Sequence, residues 1–234
     1  MTSPVARIAE NLRRVRQRIA EAAARGGRSE QEVMLVAVTK YAGELAARAA
    51  IDAGCRHLGE SRPQELWQKA GQLGIDDVHW HLVGHLQRNK VARTLPLVWL
   101  IHSVDSLRLV HSIESEAQRA DLHVPVLLEV NVSRDEAKHG FAPEELPGLA
   151  GPLSQCTHLE VRGLMAMAGR LGGLDKARRD FAALRGLRDE LQSTWPESLS
   201  LAELSMGMSN DFEAAIEEGA TIIRLGSVLF EGVS

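Results

Sequence analysis

Short apolar runs alternate with helical patterns along the whole chain, and no low-complexity segment or long linker interrupts them. Eight runs read as strands: 33–40 (VMLVAVTK), 57–61 (HLGES), 78–84 (VHWHLVG), 98–104 (VWLIHSV), 125–132 (PVLLEVNV), 160–167 (EVRGLMAM), 201–207 (LAELSMG) and 221–228 (TIIRLGSV). Helical spacing between them is clearest at 106–120, 175–193 and 211–218, and Gly219 follows the last of these as a C-cap. Alternating strand and helix predicts a parallel sheet with helices outside it. Eight such units in 234 residues predict an α/β fold closed into a (β/α)8 barrel, for which about 250 residues is typical. A doubly wound open sheet is the competing arrangement. Ahead of the first strand, Ile8, Leu12, Val15 and Ile19 recur at helical spacing. They predict an amphipathic helix over about residues 2–25 that caps or flanks the barrel, with its arginine-bearing face solvated. The whole chain, 1–234, reads as one domain.

Composition narrows the choice of partners. The hydrophobic fraction of 44% is enough for a sizeable core, and a net charge of −4 gives no reason to expect a polyanion. Aromatic residues are only 4% of the chain, with Tyr41 the single tyrosine, which argues against a base-stacking nucleic-acid surface. Cys55 and Cys156 are isolated and lack CxxC spacing, so a disulfide framework or a cysteine-rich zinc site is not expected. No apolar run reaches the roughly 18 residues of a membrane span. A reducing cytoplasm is the expected compartment.

In a barrel of this kind, function sits at the C-terminal ends of the strands. Those ends are polar here: Lys40 after the first, Glu60, Ser61 and Arg62 after the second, His85, Gln87 and Asn89 after the third, and His102, Ser103 and Asp105 after the fourth. After the seventh, "SMGMSNDFEAAI" places Gly207 in a tight turn and Ser209 at the start of a helix, with Asn210 and Glu213 spaced as a capping box. After the eighth, Gly226 lets the backbone approach a ligand and Ser227 adds a hydroxyl and an N–H. Loops at these two positions are the usual phosphate site of the barrel, and a helix N-terminus favours an anion. Plain capping and a turn would explain either loop taken singly.

Lys40 and Arg224 complete the pattern. Lys40 ends an apolar run, where desolvation favours the neutral, nucleophilic amine that forms a Schiff base with an aldehyde. Arg224 lies inside another apolar run, "TIIRLGS", where a guanidinium is costly unless something accepts its hydrogen bonds. An aldehyde that carries both a phosphate and a basic ring nitrogen would use the amine, the cradle and the donor together. Pyridoxal 5′-phosphate is that molecule.

The stretches "LVAVTK", "HLGESRPQE", "WHLVGHLQRNK", "IHSVDS", "EVNVSRDEAKHGF", "RGLMAM" and "LSMGMSNDFEAAIEEGATIIRLGSVLFEG" resemble the YggS/PROSC-type pyridoxal phosphate homeostasis proteins over nearly the whole chain. The resemblance implies a TIM barrel like the N-terminal domain of alanine racemase (fold type III), without the C-terminal β domain. It implies that Lys40 carries the cofactor as a Schiff base and that Arg224 faces the pyridine nitrogen. Ser209, Gly226 and Ser227 would hold the phosphate, with backbone contact from Met208. The family commonly has asparagine where this chain has Ser61, whose shorter hydroxyl leaves room for a water beside the cofactor. The family also carries a lysine like Lys138 in "EAKHGF", beside His139; a solvated loop explains it nearly as well.

An arginine at the ring nitrogen bears on whether the chain is an enzyme. A guanidinium can only donate, so the ring stays unprotonated and is a weak electron sink. Racemases of the fold add a tyrosine from a second domain. Tyr41 is adjacent to Lys40, and strand alternation turns it to the opposite side. The expectation is a carrier that buffers pyridoxal phosphate or delivers it to dependent apoenzymes, monomeric, with little turnover. A pyridoxal-phosphate racemase is the alternative. A metal hydrolase built on His79, His81 and His85 is a third reading, with no carboxylate at a set spacing to complete it.

Overall fold

The computed structural model describes residues 3–40, 43–135, 137–169 and 171–233. Eight parallel strands close into a barrel in sequence order, β1 to β8, with β8 returning to β1. The strands are β1 (Met34–Val38), β2 (His57–Glu60), β3 (His79–Leu82), β4 (Leu100–Val104), β5 (Val124–Glu129), β6 (Leu159–Met165), β7 (Glu203–Ser205) and β8 (Ile222–Leu225). Each lies inside the run expected for it or within a residue of it. The open-sheet alternative is excluded by the β1–β8 pairing, in which Met34 to Ala37 run beside Ile222 to Leu225.

The helices are α1 (Pro4–Arg25), α2 (Glu44–Asp52), α3 (Pro63–Leu73), α4 (Val91–Thr94), α5 (Leu107–Ala120), α6 (Ala150–Ser154), α7 (Gly173–Thr194) and α8 (Phe212–Glu217). Most of the buried apolar residues lie between this helical layer and the sheet. Ser3 caps α1 and Pro4 opens it, and Ile8, Leu12, Val15 and Ile19 are all buried. The arginine face of α1 is less solvated than its sequence suggests. Arg18 pairs with Glu213 at 2.6 Å and Arg25 with Glu217 at 2.6 Å, both on α8. Buried Asn11 donates to the Leu229 and Glu231 carbonyl oxygens, which ties α1 to the segment after β8.

A second, smaller cluster of Val36, Leu100, Leu127, Met165 and Ile222 fills the barrel interior, with Met34, Trp99 and Met167 against it. These are alternate positions on their strands, so the period of two fixes which residues reach the mouth. Counting on from Leu100 gives His102, from Leu127 gives Glu129, and from Ile222 gives Arg224. No helix among the described residues is long and apolar enough to cross a membrane. Cys55 and Cys156 are free thiols, the first buried and the second half-buried.

Candidate functional site

Arg224 is the buried charge of the mouth, only 5% exposed. Its Nη1 donates to the Ser205 carbonyl oxygen at 2.7 Å and to the Ser205 hydroxyl at 2.5 Å. Its Nη2 donates to the Ala166 carbonyl oxygen at 3.0 Å. Burial pulls the guanidinium down to about 10, opposed by Glu129 and Asp211, so it is charged near neutral pH. Three hydrogen bonds, two to Ser205 on the neighbouring β7 and one to the residue that follows β6, offset the cost of burying it. Nε makes no hydrogen bond among the described residues.

The two loops expected to cradle an anion meet. Ser209 Oγ accepts from the backbone N–H of Gly226 at 3.3 Å and of Val228 at 3.4 Å. Gly207 takes φ +92°, and a Cβ there would come within 2.6 Å of Ala215 Cβ, which enforces the tight turn. A Cβ on Gly226 would lie 3.2 Å from the Val38 carbonyl oxygen, so this loop rests against the end of β1. Ser227 is exposed on it. Ser61 follows β2 on the same face and is half-buried.

Three details of the loop differ from the sequence reading. Ser209 is not at the start of a helix, because α8 begins at Phe212. The capping box is absent: Asp211 occupies the cap position without a side-chain cap bond, and Glu213 pairs with Arg18. The Met208 N–H is held by Asp211 Oδ1 at 2.6 Å and its carbonyl accepts from Asp211 and Phe212, so its backbone serves the turn. Its side chain is exposed.

Lys40 lies at this same end, but not as a dehydrated amine. The strand stops at Val38, and Lys40 is exposed in the turn that follows. The dehydrated lysine is Lys69 of α3, which donates to Glu60 Oε1 at 2.6 Å and to the Thr39 carbonyl oxygen at 2.8 Å. The Thr39 hydroxyl also donates to Glu60. This buried network anchors the residue immediately before Lys40. The expected orientation of Tyr41 lies outside the described residues.

Two mouth residues, Glu129 and Ser205, are not named among the polar strand ends read from the sequence. Glu129 is buried, and burial raises its carboxyl to about 7, helped by Asp105 and opposed by Arg224, His139 and Lys138. The signal was available in "LLEVNV", where Glu129 continues the inward period of Leu127. His102 carries the same signal, two residues on from Leu100, whereas the importance of buried Ser205 comes from Arg224 and His102 on other strands. Lys138 Nζ bridges to the Ser133 hydroxyl and the carbonyl oxygens of Met167 and Ala168, fastening the loop after β5 to the end of β6.

The histidines considered for a metal are divided between the barrel's two ends. His79 and His81 point into the interior from β3, whereas His85 lies past its C-terminal end. His85 Nδ1 is 2.9 Å from Asp105 Oδ2 and His139 Nδ1 is 3.8 Å from it. The two rings stack at 4.4 Å with 17° between their planes. One ligand atom from each of His85, Asp105 and His139 lies within 4.8 Å of the others, a group that shares only His85 with the set expected from the sequence.

Comparison with known proteins gives a consistent picture. The family model for the alanine racemase N-terminal domain matches residues 5–233. The pyridoxal phosphate homeostasis protein of Aquifex aeolicus is 41% identical over 94% of this chain and 96% of its own length. That of Pseudomonas aeruginosa is 40% identical over 95% and 94%. The structure of PipY from Synechococcus elongatus with PLP bound superposes with a TM-score of 0.84 at 36% identity, covering 95% of this chain and 99% of that one. Alanine racemase of Clostridium difficile shares the fold, with a TM-score of 0.73 at 16% identity over 94% of this chain and 56% of that one.

Proposed function

The chain belongs to the alanine racemase N-terminal domain family, and from that premise we propose that it is a pyridoxal 5′-phosphate-binding protein of cofactor homeostasis. The observation that carries this reading is the meeting of three elements at one end of the barrel. Gly226 packs on the end of β1 beside Ser209, Arg224 is charged and buried two residues before Gly226, and Lys40 follows β1. When bound, the cofactor supplies an aldehyde that condenses with an amine and a ring that withdraws electrons.

The residues present suit that group. Lys40 attaches it through its exposed amine. Ser209, Ser227 and the Cβ-free backbone at Gly226 take the phosphate, and Met208 and Ser61 border the site. Arg224 donates toward the ring nitrogen and has no acceptor with which to deprotonate it or be protonated by it. A ring held unprotonated is a weak electron sink, which supports a carrier with little turnover rather than a racemase. The delivery targets are dependent apoenzymes, and the carrier acts as a monomer in the cytoplasm. The same reading treats residues 1–234 as one cofactor-binding domain, supported by the tie from Asn11 to the segment after β8.

A visible spectrum during titration with pyridoxal phosphate tests binding: an imine band near-stoichiometric with protein is expected, and a protein that stays colourless refutes it. Incubation of the loaded protein with alanine in deuterated water tests the carrier reading. The α-proton signal should persist, and its rapid loss would establish the racemase alternative.

A further inference from the structure

A row of hydrogen bonds crosses the barrel interior and ends on Arg224. His57 Nδ1 lies 2.9 Å from His81 Nε2, His81 Nδ1 lies 2.8 Å from His102 Nε2, and His102 Nδ1 lies 2.8 Å from Ser205 Oγ. Ser205 Oγ accepts from Arg224 Nη1. His81, His102, Ser205 and Arg224 are all buried. Half-buried His57 lines a cavity of about 670 Å³ at the opposite end of the barrel, which Arg16, Cys55, Glu203 and Thr221 also line.

The direction of each bond follows from the chemistry of the two ends. Arginine has no acceptor, so Nη1–H points at Ser205 Oγ. The hydroxyl's own hydrogen then needs an acceptor, and the other polar atom bonded to this oxygen is His102 Nδ1. Burial holds His81 and His102 well below the usual imidazole range and takes His57, next to His79, down to about 4. A neutral imidazole has one donor and one acceptor. With Nδ1 of His102 accepting, its Nε2 carries the hydrogen and donates to His81 Nδ1. The same reasoning passes from His81 to His57. The reverse direction would set His102 Nδ1–H against Ser205 Oγ and leave a buried hydroxyl hydrogen without a partner.

We propose that His57, His81 and His102 form a one-way hydrogen-bond chain of Nε2–H tautomers, directed by Arg224, in which His102 and Ser205 are positioning residues for the Arg224 guanidinium. The chain ends on a group that does not accept a proton, so it delivers none to the mouth. Its action is orientation: His102 fixes the Ser205 hydroxyl, and Ser205 holds Nη1 from two sides, which leaves Nε directed elsewhere. The consequence for cofactor binding rests on the reading of the mouth as the pyridoxal phosphate site; the chain itself does not.

Nitrogen-15 NMR of histidine-labelled protein with no ligand added tests the chain directly. At neutral pH all three residues should show the neutral Nε2–H pattern. Ser205→Ala should release His102 into a mixture with the Nδ1–H form, whereas His57→Gln should leave His102 unchanged. An imidazolium or a dominant Nδ1–H form among the three in the parent protein would overturn the proposal. So would equal responses of His102 to the two substitutions. Titration with pyridoxal phosphate then tests the positioning role. Loss of one neutral hydrogen bond is worth about 1 kcal/mol, so His102→Phe should weaken retention by about fivefold and move the visible band. His102→Gln, whose amide oxygen can accept from Ser205, should restore much of both. Ser205→Ala, a smaller change, gives the same readout if His102→Phe does not fold. Unaltered affinity and spectrum in Ser205→Ala would overturn the positioning role. A parent protein that binds no pyridoxal phosphate would overturn the cofactor reading, and the NMR result would still decide the chain.

Discussion

Gly226 and Val38 are in contact across the β8–β1 seam, so close that a Cβ on Gly226 would come within 3.2 Å of the Val38 carbonyl oxygen. This contact fixes the anion loop relative to the strand that leads to Lys40. Gly226→Ala must therefore displace the loop that Ser209 holds. Crowding of this kind costs about 1 kcal/mol or more, which corresponds to a loss in affinity of about fivefold or more. Fluorescence titration with pyridoxal phosphate should show that loss, while the thermal melt moves little. Unchanged affinity would mean that the loop does not hold the phosphate.

Lys40→Ala should abolish the yellow imine chromophore while the protein remains folded. Borohydride reduction of the loaded parent followed by peptide mapping should place the pyridoxyl group on Lys40. A label on Lys90 or Lys138 would move the attachment site.

Arg224→Ala should weaken retention and alter the visible band, because the ring nitrogen loses its donor. The same change removes a cation that opposes the rise of the Glu129 carboxyl. An identical spectrum and affinity would show that the guanidinium serves only the packing of β6, β7 and β8.

Glu129 makes a prediction about stability. Its carboxyl stands at about 7 in the folded chain, against 4.5 for an ordinary glutamate, chiefly through burial. The folded state therefore binds this proton more tightly than the unfolded state. The stability it contributes is complete below about pH 4.5 and is lost as pH rises through about 7, on the order of 3 kcal/mol. Glu129→Gln should flatten that fall. Urea unfolding at pH 5 and pH 8 should show the variant losing less stability between the two than the parent; equal slopes would place the titration elsewhere.

Lys69 and Glu60 form a buried pair under the turn that carries Lys40. Lys69→Met leaves the Glu60 carboxylate buried without its cation, at a cost of roughly 3–5 kcal/mol. Adding Glu60→Gln should recover much of the loss in a denaturant titration. A Lys69→Met protein as stable as the parent would show that the pair contributes little.

The hydrophobic pattern determined the eight strands, the order of strand and helix, and the buried face of α1, because burial on a strand or helix follows a local period. It also placed Arg224 in a strand, and Ser209 and Gly226 at the ends of the last two strands. Local pattern also indicated a dehydrated amine at Lys40, and there it misled. Whether a residue at the end of a strand is covered depends on where pairing stops, and β1 stops at Val38. Only the tertiary structure decided that the burial falls on Lys69, that Ser205 and Ala166 satisfy Arg224, and that His79 and His81 lie apart from His85. These are meetings between strands distant in sequence. Barrel closure brings such side chains within hydrogen-bonding range, and nothing in the local sequence records which partner will be there.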